Sequence, residues 1–237
     1  MSPALLARLP AEVQPLLARG RRLPNSDAPS LSHWLEPELL NGALARYARN
    51  WPQADPRAVA SQWHQESCVL VLPPLLLGGL LDAEPPSLDP TRLRMTINAQ
   101  GAPTELHLPL SMGKARAERN GARLLERLHE QLLHPLVSRF AAHTGLAPRL
   151  LWGNVALCID WVLDMAQACL PDRALGEACA HFHDTRRQDA CAALRAALRR
   201  DAAGVTRRVC CLRERLPLQR CVVCPLARRR NSINLPT

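Results

Sequence analysis

Fifteen residues near the end of the chain hold four of its nine cysteines: Cys210 beside Cys211, then nine residues, then Cys221 and Cys224 flanking Val222 and Val223. After Gly204 this stretch is rich in Arg and lacks a helical apolar stripe, so it has too few apolar side chains to order itself by burial. A bound metal would fix it. A C-x-x-C turn brings two thiolates together, and its backbone amides can point back at the sulfurs and stabilise their charge. The adjacent pair is harder to use, because Cα atoms ~3.8 Å apart send side chains to opposite sides of an extended chain. Either the backbone kinks, or each thiolate serves a different metal of a binuclear centre. Both suit a two-iron cluster better than one tetrahedral zinc, whose common frame is two C-x-x-C knuckles. A structural zinc, a redox dithiol and inert cysteines are the alternatives.

The rest of the chain reads as helices. Hydrophobic residues make up 47% of it but aromatic residues only 3%, so the core is built from Leu, Ala and Val, which argues against an all-β fold. Leucines at helical spacing mark residues 3–18 and 35–50, joined by a Pro/Ser/Asp-rich link over 24–29. Asp55 as N-cap with Pro56 behind it opens a helix through Trp63 and His64 towards a break at Pro73 and Pro74. The apolar turn over 75–81 must then be buried. Alternation of Met95 and Ile97 before Gly101, and of Leu106 and Leu108 after it, predicts a β-hairpin, the only clear strand signal. From Arg116 the stripe Leu124, Leu125, Leu128, Leu132, Leu136 and Phe140 marks a long helix stopping at Gly145. Further helices are expected over 150–168, 172–183 and 189–202. The expected fold is mainly α with a small β-hairpin (α+β). It divides into an N-terminal helical segment (1–54), a helical domain with its hairpin near 92–109 (55–203), and a cysteine-rich metal-binding tail (204–237).

Several function classes are disfavoured. The eleven glycines form neither a GxGxxG nor a GxxxxGK[ST] pattern, so nucleotide binding has no support. The first 22 residues lack the unbroken apolar stretch of an export signal, and the most apolar segment, 69–81, is short of the ~20 residues of a spanning helix. Nine cysteines without an export signal point to the reducing cytosol. The net charge of +9 is concentrated: from Arg186 onward 13 Arg oppose Asp189, Asp201 and Glu214, about +10 in that segment. Lys114 is the sole lysine, so Arg abundance alone says little; its clustering says more. The basic tail lacks interleaved aromatics, and nucleic acid is not an expected partner.

Three segments carry a resemblance. Arg207, Arg208, Cys210, Cys211, Leu216, Pro217, Cys221, Cys224, Pro225 and Leu226 resemble the closing signature of the FhuF family of ferric siderophore reductases. Leu151-Trp152-Gly153-Asn154-Val155-Ala156 is similar to that family's LWGNxA segment, and Ser61-Gln62-Trp63-His64 leads into an apolar Leu72-Pro73-Pro74-Leu75 as it does there. The loop between the cysteine pairs has nine residues where the family has ten, a deletion that a surface loop tolerates cheaply. The resemblance implies a [2Fe–2S] cluster on Cys210, Cys211, Cys221 and Cys224. It also implies one-electron reduction of a ferric siderophore, most readily of hydroxamate type, in the cytoplasm. Trp152, Asn154, Arg207 and Arg208 become candidate substrate contacts. With no dinucleotide or flavin pattern the electron must come from a separate donor such as a ferredoxin or its reductase, and the basic tail suits peripheral contact with the inner membrane. Arg207, Arg208, Arg213, Arg215 and Arg220 should favour the reduced cluster, each by at most about 1.7 kcal/mol at ~10 Å. A zinc-stapled structural or binding protein without redox activity is the competing reading.

Other candidates read as structure. Cys158, Cys169, Cys179 and Cys191 lie in apolar helical surroundings and are expected in the core. His181 and His183, two apart, do not face one another on a helix and are expected at a solvated helix end.

Overall fold

The computed structural model describes residues 6–11, 14–22, 27–81, 86–109, 120–170, 172–202 and 204–226. The start of the helix expected over 3–18, much of the 24–29 link and the stretch from Arg116 to the cap of the long helix lie outside these residues. The fold is mainly helical with a few short strands.

Its centre is a pair of long helices, α3 (Pro56–Leu81) and α6 (Pro148–Cys169). Most α3 side chains from Ala58 to Leu80 are buried, without a break from Leu70 to Leu80, as the apolar run there requires. Its length and composition would allow it to cross a membrane, but 72% of that window is buried inside the protein. Pro73 and Pro74 lie within α3 and do not end it. Surrounding helices cover both prolines, so tertiary packing outweighs the lost backbone bonds.

Before α3 come α1 (Gln14–Ala18), β1 (Gly20–Arg22), a 3₁₀ turn (His33–Leu35) and α2 (Pro37–Ala48). The hairpin forms as expected, with β2 (Arg94–Ile97) antiparallel to β3 (Pro103–Leu108). β1 adds a parallel third strand in the order β1-β3-β2, where the sequence suggested only helix and link. Two indoles pin this sheet to the helices: Trp34 Nε1 donates to the Met95 carbonyl (2.7 Å) and Trp63 Nε1 to that of Gly101 (2.9 Å). Gly101 has φ +81°, and an added Cβ would lie 2.5 Å from the Ala43 carbonyl, so the turn needs glycine to reach α2.

The long helix after Asn120 has three parts: α4 (Gly121–Leu128), a π-helical turn (His129–Leu133) and α5 (His134–Thr144), which ends at the left-handed Gly145. After α6 follow α7 (Arg173–His183), capped by Asp172, and the short α8 (Ala192–Arg195). The helix expected over 189–202 stops there. The chain turns into β4 (Leu198–Asp201), which pairs with β5 (Gly204–Arg207) through Gly204 at φ +103°. The tail therefore begins as the second strand of a hairpin.

Candidate metal centre

β5 delivers the chain to the cysteines. Arg207 N–H donates to the Val223 carbonyl (3.0 Å) and Arg208 N–H to that of Ala197 (3.1 Å), stitching the C-x-x-C turn and the tail to the hairpin. Cys224 N–H closes the turn onto the Cys221 carbonyl (3.1 Å). After the adjacent pair the backbone kinks: Leu212 adopts φ +64°, its N–H donates to Cys210 Sγ (3.3 Å), and a 3₁₀ turn (Arg213–Arg215) follows. The result brings Cys211 Sγ to 3.7 Å from Cys221 Sγ. Two sulfurs each ~2.3 Å from one tetrahedral metal stand about 3.75 Å apart, so this pair is spaced as co-ligands. Cys211 and Cys224 are buried, Cys210 and Cys221 partly exposed, and Val222 at the tip is fully exposed. Groups of three or more ligand-type side chains within 4.8 Å of one another lie elsewhere among the described residues. A donor set of four thiolates fits a [2Fe–2S] cluster.

A sulfur–sulfur hydrogen bond joins Cys211 and Cys221. The bond between them lowers the Cys211 thiol to about 6, against its burial and with help from Arg207 and backbone N–H groups; Cys221 is raised in turn. Burial pushes Cys210 up, and the neighbouring Cys211, Cys224 and Glu214 add to it.

The three resembling segments meet beneath these thiols. Ser61 Oγ donates to the Cys211 carbonyl (2.7 Å), and Asn154 Nδ2 reaches the Ser61 carbonyl (3.2 Å) and His64 Nδ1 (3.3 Å). Arg207 Nη1 donates to Asn154 Oδ1 at 2.6 Å. An added Cβ on Gly153 would stand 3.4 Å from that Nη1, so glycine leaves the guanidinium room against α6. Arg207 is 1% exposed, and its Nε and Nη2 have no hydrogen-bond partner among the described residues. A buried guanidinium with two free donors calls for an anion. The Arg207 charge acts downward on the Cys211 and Cys221 thiols, and on His64, where burial first and then Arg207 lower the imidazole to about 3.

Outer clamps complete the docking. Arg213 donates to the Gln219 carbonyl (2.9 Å) and to Gln62 Oε1 (3.4 Å), and Arg215 pairs with Asp55 at the start of α3 (2.5 Å). Arg220 pairs with Glu214 (3.2 Å). Of the five arginines expected to act on the thiols, Arg207 is the buried one, while Arg215 and Arg220 spend their charge on nearby carboxylates. Arg208 Nε donates to the Leu198 carbonyl at 3.2 Å.

Trp152 and Asn154 diverge. Residues two apart on a helix point about 200° apart; Asn154 enters the polar hub, while Trp152 stacks on His129 of the π-turn (centroids 5.1 Å). Ser61 and His64 carry no local signal of a role; their meeting with Asn154 and Arg207 comes from tertiary packing. An apolar cavity bounded by Trp34, Trp63, Cys68, Met95 and Phe140 abuts His64. Cys158, Cys179 and Cys191 are buried as expected, but Cys169, on the last turn of α6, is exposed. His181 is buried and His183 half-buried beside Asp160 and Asp164, not at a solvated helix end, because α7 packs against α4 and α6 along its last turn too.

A family model described as "Ferric iron reductase FhuF-like transporter" matches residues 57–232. No curated protein matches the chain.

Proposed function

The chain belongs to the FhuF-like ferric iron reductase family, and from that premise we propose that it reduces iron(III) held in a siderophore by one electron in the cytoplasm. Its electron-carrying group would be a [2Fe–2S] cluster on Cys210, Cys211, Cys221 and Cys224. The observation that carries this reading is the 3.7 Å Cys211–Cys221 pair set beside the buried, under-bonded Arg207. Hydroxamate oxygens hold hard ferric iron far more tightly than ferrous iron, so a single electron suffices to release the metal. The cluster, when bound, supplies that electron without a hydride or a proton.

The chain's residues supply the setting. Cys211 and Cys224 place two ligands out of solvent, and Cys210 and Cys221 leave one edge open for donor and chelate. Arg207 provides a fixed positive charge that favours the more negative, reduced state. Ser61 and Asn154 hold the cysteine backbone and the guanidinium in place. A separate donor of ferredoxin type, approaching the basic tail or meeting the protein at the inner membrane surface, supplies the electrons, and high salt should weaken that encounter. The domain division at residues 55 and 204 belongs to this reading: a helical body beside an electron-carrying tail.

The test is anaerobic purification with iron and sulfide analysis and electron paramagnetic resonance. An assay with a ferric hydroxamate and a ferrous trap then compares NADPH alone against NADPH with a ferredoxin–reductase pair. About two iron and two sulfide per chain with donor-dependent turnover is expected. One zinc, no sulfide and a colourless protein would establish the zinc-stapled alternative, and turnover with NADPH alone would reveal an unrecognised cofactor site.

A further inference from the structure

A second group of ligand-type side chains stands apart from the tail, where α4 packs on α7 and on the loop leading into α8. Donor atoms of His181, Asp189 and Cys191 lie within 4.8 Å of one another. The His181 side chain is 2% exposed and neither ring nitrogen has a hydrogen-bond partner among the described residues. Its Nε2 stands 3.6 Å from Asp189 Oδ2 and 3.8 Å from Glu126 Oε1. Those gaps exceed an N–H···O bond of ~2.7–3.2 Å, and they sit a few tenths of an ångström above the ~3.4 Å between nitrogen and oxygen ligands of one tetrahedral ion.

The surroundings orient the carboxylate for such an ion. Asp189 Oδ1 accepts from Arg195 Nη2 (2.5 Å) and from Cys191 N–H (2.9 Å), which leaves Oδ2 turned to His181, with the half-exposed Arg187 at 3.2 Å on its outer side. Hydrogen-bonded ligand carboxylates are the usual second sphere of a metal site. The Cys191 S–H, which donates to the Leu125 carbonyl (3.6 Å), would give up its proton to the incoming ion; the thiolate, Asp189 and Glu126 then oppose the dication together with the Arg195 and Arg187 guanidinium groups. Glu126 and Asp189 are part-exposed and give an entry path. The neighbouring trio Asp160, Asp164 and His183 is different, since the Arg200 guanidinium already bonds both Asp160 and His183.

We propose that His181, Asp189 and Cys191, with Glu126 closing in from its place 3.8 Å from His181 as a fourth donor, form a site for a tetrahedral divalent cation of zinc type, separate from the tail thiols. A nitrogen, two oxygens and a sulfur suit that borderline-soft ion, and four protein donors make the site structural, tying α4, α7 and α8 together.

The test titrates cluster-loaded full-length protein with Zn²⁺ against a chromophoric chelator, with iron and sulfide measured alongside and zinc-edge X-ray absorption on the product. One zinc per chain is expected, with one sulfur and three nitrogen or oxygen neighbours. Cys191→Ser should weaken it by more than the ~10–100-fold typical of a second-sphere change while iron and sulfide stay constant. Glu126→Gln, isosteric and part-exposed, guards against a folding defect: it should keep the native circular dichroism yet lose the zinc-induced rise in melting temperature. A shell of four sulfurs, no binding at one equivalent, or a Glu126→Gln variant that keeps wild-type affinity would overturn the site.

Discussion

The Arg207 charge acts on Cys68 and Cys158 of the helical body and on Cys211 and Cys221 of the tail. Burial pushes Cys68 up to about 12 and Cys158 well above its ordinary value, yet Cys211 falls to about 6. The guanidinium pulls all three downward, so it does not make the difference. Donors do. Cys211 is bonded to the Cys221 sulfur and accepts from backbone N–H groups, whereas Cys158 spends its own S–H on the Cys68 carbonyl (3.5 Å), and Cys68 faces only a neutral His64 at 3.7 Å. Among these three thiols, the one whose anion the protein solvates is held low, and the two without such donors behave in the metal-free chain as small apolar side chains.

The sharpest way to break this contrast is to exchange each set for serine. Cys211→Ser or Cys221→Ser should take bound iron and sulfide from about two each per chain to near none, read by elemental analysis and the visible spectrum. Cys68→Ser or Cys158→Ser should keep the iron and lose about 1–3 kcal/mol in denaturant unfolding, the cost of burying a hydroxyl poorly. Equal iron loss from both sets would erase the distinction.

The next effect lies on the body side. His64 is lowered from 6.5 to about 3 in the fold, so the unfolded chain takes a proton that the folded chain refuses. The stability it contributes is whole above pH 6.5 and falls by about 1.4 kcal/mol per unit as pH drops towards 3. Urea melts of the metal-free chain across that range should show the slope, and His64→Gln should flatten it. An unchanged slope in the variant would mean that Arg207 and burial do not keep this side neutral.

A smaller shift separates Arg207 from its neighbours. At ~7–10 Å and an effective dielectric of ~20 its charge is worth roughly 2 kcal/mol, so Arg207→Met should lower the cluster midpoint potential by roughly 70–100 mV before screening. Arg215→Met, exposed and paired with Asp55, should move it far less. Smallest is Ser61→Ala. It removes the bond to the Cys211 carbonyl and should cost about 1 kcal/mol while leaving cluster content intact. Cluster loss on that change would make Ser61 part of ligand placement.

Much of the helical body is legible in the sequence because its signals are local. The Gly145 stop, the Asp172 cap and the hairpin around Gly101 depend on neighbours a few residues away. Failures came where tertiary packing overrode a local rule. Pro73 and Pro74 punctuate a chain in water, but inside α3 they are enclosed on every side. The Ala/Arg-rich run after Asp189 has helical propensity, yet Leu198 to Asp201 gains a strand partner in β5. The four tail cysteines stand out by spacing alone. Their support by Ser61 and Asn154 does not, since only the fold brings α3 and α6 under them, and the gathering of Glu126, His181, Asp189 and Cys191 escapes notice for the same reason.

The polar hub beneath the tail also bears on how the molecule assembles. Ser61 and Cys211 are 150 positions apart in sequence, and Asn154 and Arg207 are 53 apart. Contacts across such spans cost loop-closure entropy before they return any interaction, so they form after the local helices have met. The bed under the thiols therefore exists only once α3 and α6 are packed, and the tail docks as a late step onto a finished surface. Iron delivered to a nascent chain would meet four unorganised thiols, whereas iron delivered after collapse would meet Cys211 and Cys221 already paired.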